Sequence, residues 1–193
     1  MRDRKVVKKV VTKKRWDVIL SNLPLNEKLI GAEIGVEQGK TSRMLLSRIS
    51  KLHLILVDRW CVTPPGDSYF NGSKIMSRYR AEEWKSVYNK AMANIAPYKN
   101  RVTILQTDSL SASQTIDDES LDFIFIDADH SYDGVCKDIE AWMPKVKPGG
   151  YAFFHDYENP NTFTGVKQAI EDKLGMNVVK VSYDHTAVYR KSE

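Results

Sequence analysis

The sequence predicts an α/β protein with a doubly wound, mostly parallel seven-stranded sheet that ends in an antiparallel hairpin. Two observations carry this prediction. Short runs rich in β-branched and aromatic residues alternate with segments of helical periodicity, and acids or glycines stand directly after several of those runs. At 193 residues the chain suits one hydrophobic core, because a single core serves up to roughly 250 residues.

The elements follow in order. Trp16, Ile19, Leu20 and Leu23 keep the spacing of one helical face, and Pro24 ends that helix. Leu29 to Val36 is a short apolar run closing on a glycine turn and reads as a buried strand. Met44, Leu45 and Ile49 place a helix over Lys40 to Ile49. Leu52 to Val57 is the second strand, with Asp58 at its carboxyl end. Arg59 to Ser73 is broken by Pro64, Pro65, Gly66, Asn71 and Gly72 into a loop. Helical spacing resumes from Lys74 to about Ala96. Val102 to Leu105 and Leu121 to Ile126 are the third and fourth strands. Val135 to Met143 is a helix, and a Pro148-Gly149-Gly150 turn precedes a fifth strand, Tyr151 to Phe154. Thr164 to Leu174 is helical, and Asn177 to Val181 with Thr186 to Tyr189 form the closing hairpin.

The hydrophobic fraction of 42% and charged fraction of 28% are those of a water-soluble globular chain. No run approaches the ~20 apolar residues that cross a bilayer. The basic N-terminus lacks the apolar stretch of a secretory signal, so the expectation is a cytoplasmic protein without membrane contact. Two cysteines, Cys61 and Cys136, suggest neither a disulfide framework nor a zinc site. Residues 1 to 15 hold eight Lys or Arg and one acid, a net +7, which leaves −3 for the rest of a chain whose total is +4. They read as a basic arm ahead of one domain spanning 16 to 193. The arm is either a solvated tail or a contact for phosphates and acidic partners.

In open α/β sheets a ligand binds beyond the carboxyl ends of the strands, so the residues following each strand are the candidates for chemistry. After the first strand comes Glu33-Ile34-Gly35-Val36-Glu37-Gln38-Gly39. Its glycines allow close backbone approach, and the helix that follows offers free N–H donors. Asp58, about 20 residues past the loop, is placed to accept from two ribose hydroxyls. The loop lacks GxGxxG spacing, which disfavours a dinucleotide and suits a ligand without phosphates. Asp108-Ser109, after the third strand, can accept from an adenine amino group, and either residue could equally be a helix N-cap.

These motifs, together with Lys147-Pro148-Gly149-Gly150, resemble the Rossmann-like S-adenosylmethionine-dependent methyltransferases over residues 29 to 156. FIFIDADHSYDGVCKDIEAW followed by KPGGYAFFHDY is similar to the branch that includes macrolide and aminocoumarin sugar O-methyltransferases. The resemblance implies that Gly35 and Gly39 shape the cofactor loop. It places Asp58 on the ribose, Asp108 and Ser109 at adenine, Glu33 at the methionine ammonium group, and Thr41 or Ser42 at its carboxylate. Helix capping is an equal reading for the last two.

Asp127-Ala128-Asp129-His130, after the fourth strand, faces His155-Asp156, after the fifth. Charged groups gathered there cost desolvation unless function compensates them. Asp127 also counts as a cofactor contact. Asp127 and Asp156 could converge on magnesium, but His155 stands where relatives have an acid, and histidine is a poor magnesium ligand. His130 is the first choice of general base, with an ordinary pKa near ~6.5 that leaves it neutral; Asp129 is the second. Trp60, Tyr69, Phe70 and Tyr132 either line a substrate pocket or pack beneath a loop. The expected function is O-methylation of a hydroxylated small molecule such as a sugar or glycoside. The alternatives are an RNA methyltransferase anchored by the basic arm, which lacks N/D-P-P-Y/F and Pro-Cys motifs, or a non-catalytic binding module. By analogy alone the first helix could pack against a second subunit, which makes a homodimer one option for an oligomeric state that the sequence does not reveal.

Overall fold

The computed structural model describes residues 14–61, 81–159, 164–175, 178–180 and 184–193. Seven strands form one sheet in the order β3-β2-β1-β4-β5-β7-β6. They are β1 (Leu29–Ile34), β2 (Leu52–Val57), β3 (Val102–Leu105), β4 (Leu121–Ile126), β5 (Val146–Phe154), β6 (Val179–Lys180) and β7 (Ala187–Arg190). β1 to β5 run parallel, and β7 enters antiparallel between β5 and β6. The predicted fold class and closing hairpin are therefore both present. The reversal of strand order between β1 and β4 opens the crevice in which ligands of such sheets bind.

Each central strand is buried on both faces, which is why its sequence is nearly continuous in apolar residues. Alternate residues feed two cores. Ile34, Ile55, Val57, Ile124, Ile126 and Phe154 pack under α5 (Tyr132–Trp142) and α6 (Thr164–Leu174). Leu52, Leu54, Leu56, Phe123, Phe125 and Phe153 pack under α1 (Arg15–Asn22), α2 (Lys40–Arg48) and α3 (Ala81–Ile95). Gly31 makes the second core possible, since a Cβ there would lie 2.3 Å from the Phe123 ring.

Several elements differ from the sequence reading. β1 stops at Ile34, because Gly35 turns the chain at φ +89°. α5 begins at Tyr132, three residues early, where the Ser131 hydroxyl accepts from Gly134 N–H. A five-residue helix, α4 (Ser109–Ser113), was not anticipated. The Pro148-Gly149-Gly150 turn lies inside β5: Leu121 pairs with Val146 while Phe123 pairs with Tyr151, so the extra residues bulge out at Gly149, φ +74°. Within the expected helix from Lys74, residues 74–80 lie outside those described.

Candidate active site

A cavity of about 800 Å³ opens along the carboxyl ends of β1, β2, β4 and β5, within the size range of small-molecule sites. Glu33, Gly35, Thr41, Asp58, Asp108 and Ser109 line one part of it, and Asp127, Asp129, His130, His155 and Asp156 line another. Gly39 and Ser42 are not among its lining residues. Gly39 is the left-handed N-cap of α2 and faces Ala91, with a Cβ reaching 3.4 Å from that backbone. Ser42 is turned to Glu33, donating to Oε2 at 2.5 Å.

The glycine loop is shaped by the protein's own backbone. A Cβ on Gly35 would sit 2.0 Å from the Asp127 carbonyl oxygen, because Asp127 N–H donates to the Ile34 carbonyl at 2.8 Å and draws the two strand ends together. Asp58 braces the loop from β2. Its Oδ2 accepts from Val36 N–H at 2.9 Å and Glu37 N–H at 2.8 Å, and its Oδ1 accepts from Trp60 N–H at 2.8 Å. Burial raises the Asp58 pKa, and these amides oppose the shift. Both lone pairs of Oδ2 are taken by the loop amides, and Oδ1 keeps one for a ligand hydroxyl. Glu33 is 2% exposed, and burial pushes its carboxyl up to about 8 against the Ser42 hydrogen bond. A carboxyl so desolvated at a cavity wall is a ready partner for an ammonium group.

At the third strand end, Asp108 caps α4, accepting from Ser111 N–H at 2.9 Å. That amide holds its carboxyl below the usual range. Ser109 turns inward to donate to Asp138 and accepts from Trp142 Nε1–H at 2.8 Å. Asp138 also lines the cavity, and burial pushes its carboxyl up to about 7. Sequence reasoning missed Asp138, because an acid inside a helical segment looks like a solvated face until the packing is known.

The densest charge lies after β4 and β5. His130 Nε2 is 2.8 Å from Asp156 Oδ2 and 3.5 Å from Asp127 Oδ1. His155 Nδ1 is 2.9 Å from the same Asp156 oxygen and 3.3 Å from the same Asp127 oxygen. Arg15 pairs with the other oxygen of Asp127. Burial works against charge on every member, yet the opposite charges outweigh it. Both imidazoles are pushed up to about 9, while Asp127 and Asp156 are held well below the usual carboxylate range. The neutral His130 expected from an ordinary pKa is thus corrected: two carboxylates hold it charged at neutral pH. Asp156 reaches into the cluster from a left-handed backbone, φ +59°, which a non-glycine residue adopts at a cost.

Asp129 is set differently. Its Oδ1 accepts from Ser131 N–H at 2.8 Å, and its carboxylate fills the space over Gly134, where a Cβ would lie 2.2 Å from it. Of the expected metal set, Asp127 and Asp156 converge, and His130 offers a third atom with all three within 4.8 Å of one another; His155 Nδ1 lies against the same two carboxylate oxygens. Trp60 is buried and donates from Nε1 to the Glu37 carbonyl at 2.8 Å, while Tyr132 OH donates to Asp172 at 3.0 Å, so both serve packing and surface contacts. Tyr69 and Phe70 lie outside the described residues. Arg15, the last residue of the basic arm, opens α1 and lines the cavity.

Residues 32–157 match the family described as methyltransferase domain. The chain belongs to that family. This methyltransferase shares its fold with solved structures. The O-methyltransferase NovP is 19% identical with a TM-score of 0.65, over 93% of this chain and 76% of that one. A Staphylococcus aureus protein assigned as a caffeoyl-CoA O-methyltransferase is 20% identical with a TM-score of 0.63, over 95% and 85%. An S-adenosylmethionine-dependent methyltransferase from Aquifex aeolicus is 15% identical with a TM-score of 0.54, over 91% and 87%. Among curated proteins, the uncharacterized protein y4gI of Sinorhizobium fredii is 32% identical over 74 residues, which are 38% of this chain and only 8% of that protein.

Proposed function

We propose that this methyltransferase moves the methyl group of S-adenosylmethionine to a hydroxyl oxygen of a small molecule, a sugar or glycoside being the expected kind. The observation that carries the reading is a single cavity with a glycine loop, Glu33 and Asp58 on one side and an imidazole–carboxylate cluster on the other. The loop braced by Asp58 lines the cavity, which suits a nucleoside, and buried Glu33 suits an ammonium group. S-adenosylmethionine, when bound, supplies an electrophilic methyl group on a positively charged sulfur. The protein must align the acceptor oxygen and take its proton as the oxygen–carbon bond forms and the carbon–sulfur bond breaks.

His130 is the group assigned to that proton. Its Nε2 is turned to Asp127 and Asp156, and the two carboxylates stabilise the imidazolium that forms when the proton is taken. Asp129 is a positioning residue, fixing the turn that presents His130. Magnesium suits the donor set poorly. One of the three converging atoms is an imidazole nitrogen, and the other Asp127 oxygen is paired with Arg15. Proton removal is therefore assigned to side chains. The nucleic-acid alternative draws on the basic arm of residues 1–15, of which 1–13 lie outside those described, while Arg15 lines the cavity.

The test is transfer of a labelled methyl group from S-adenosylmethionine to a panel of hydroxylated small molecules, with calorimetric titration of the cofactor. Asp58→Ala should weaken cofactor binding, and His130→Ala should abolish turnover while cofactor affinity survives. Full activity in His130→Ala would remove it from the base role, and no cofactor binding by the wild type would end the reading.

A further inference from the structure

We propose that Arg15 binds the carboxylate of the cofactor's methionine moiety, an assignment that rests on the methyltransferase reading above. Helix α1 is pinned to the sheet by Val18 and Ile19, both fully buried, so its first residue is held in a fixed place. From there Arg15 reaches 112 positions along the chain to pair with Asp127. The backbone of Asp127 is hydrogen-bonded to Ile34 at 2.8 Å and pressed against Gly35. The guanidinium therefore stands over the joint between β1 and β4, beside Glu33 and at the edge of the glycine loop.

The chemistry of that corner calls for a cation. An amino-acid moiety carries its ammonium and carboxylate on one carbon, so an acid that takes the first has the second delivered next to it. Here the acids Glu33, Asp58 and Asp127 line the wall, and an uncompensated anion among them would be repelled. Among the charged groups that act most strongly on Glu33, namely Asp127, Arg15 and Asp58, Arg15 is the cation. The other expected partners are weaker. The Ser42 hydroxyl is spent on Glu33, and Thr41 brings a hydroxyl and a helix terminus but no full charge. A guanidinium offers five donors in a planar fork that matches a carboxylate. Among the described residues, Arg15 commits one nitrogen, to Asp127, and its side chain is 30% exposed at the cavity. Asp127 then acts on the cofactor indirectly, by holding the guanidinium in register.

The experiment compares two nucleosides on the full chain by calorimetry: S-adenosylhomocysteine, which has the amino-acid moiety, and 5′-methylthioadenosine, which lacks it. Arg15→Ala should weaken S-adenosylhomocysteine roughly ten- to a hundredfold while 5′-methylthioadenosine stays within about twofold, and Arg15→Lys should recover part of the loss. Equal weakening of both ligands would overturn the proposal and make Arg15 a tether for α1, which a lowered melting temperature without ligand would register separately. No change in either ligand would also overturn it, as would a selective loss in Lys40→Ala with Arg15→Ala unaffected. Should the wild type bind neither nucleoside, the methyltransferase reading itself falls, a result distinct from the others.

Discussion

Asp122, near the start of β4, and Asp127, just past its end, stand at opposite ends of the same strand, and their surroundings differ in kind. Asp122 takes a backbone N–H from Ile30 at 2.7 Å on one oxygen and the Lys147 ammonium at 2.6 Å on the other. That is one cation for one anion, tying three strands together. Asp127 faces Arg15, His130 and His155 and shares both imidazoles with Asp156. The first arrangement is what folding alone asks of a half-buried acid. The second gathers several ionisable groups where each is costly to desolvate, an expense that chemistry explains and stability does not.

The backbone offers the sharpest way to break this contrast. Gly35 and Gly149 both have positive φ, but a Cβ on Gly35 meets the Asp127 carbonyl while one on Gly149 finds nothing nearer than Arg190 at 3.6 Å. Gly35→Ala should therefore cost more than about 3 kcal/mol and abolish cofactor binding. Gly149→Ala should cost about 1–2 kcal/mol, for the left-handed backbone alone. Denaturant melts of the two variants check this, and equal losses would deny the loop its special geometry.

The acids come next. Asp127→Asn should lower turnover roughly 100-fold or more, since it removes half of the support for the His130 imidazolium. Asp122→Asn should leave turnover unchanged and cost about 1–2 kcal/mol of stability. A comparable loss of rate in both variants would erase the distinction between the two ends of β4.

A third expectation concerns pH. The two imidazoles rise from 6.5 to about 9 on folding. Their contribution to stability is complete below 6.5 and is lost as pH climbs through about 9. A base must be unprotonated, so the rate should rise over the same interval. Melting temperature and kcat/KM should thus move in opposite directions between pH 6.5 and 9. Asp156→Asn removes a carboxylate that keeps the imidazoles charged, and should shift both limbs to lower pH. A rate that is flat across that interval would exclude His130 as the base. The smallest expected effect is that of a chelator: EDTA should leave the rate unchanged, and restoration of a lost rate by added divalent metal would overturn the side-chain assignment.

Much of this was legible in the residues, for identifiable reasons. β4 announces itself as LDFIFI because both of its faces are buried, and Asp127, Asp129 and His130 stand out because charged groups at a strand end need a cause. Asp58 was found by its distance from the glycine loop. What stayed hidden depends on three-dimensional approach. Arg15 looked like one more cation in a basic run, and only the packing of Val18 and Ile19 aims it inward. The start of β5 was lost because a bulge admits a proline and two glycines that read as a turn. The imidazole charge was misjudged because an ordinary pKa ignores neighbours, here two carboxylates reached from separate strands.

The left-handed backbone at Asp156 has a further consequence. Glycine would relax that backbone, but it would also take away the carboxylate shared by both imidazoles and the acceptor of the Asn159 Nδ2–H bond at 2.8 Å, so the exchange should silence the reaction and lower the melting temperature at neutral pH. The awkward backbone is thus retained by the charges it serves: no residue without a carboxylate can ease it without unmaking the cluster.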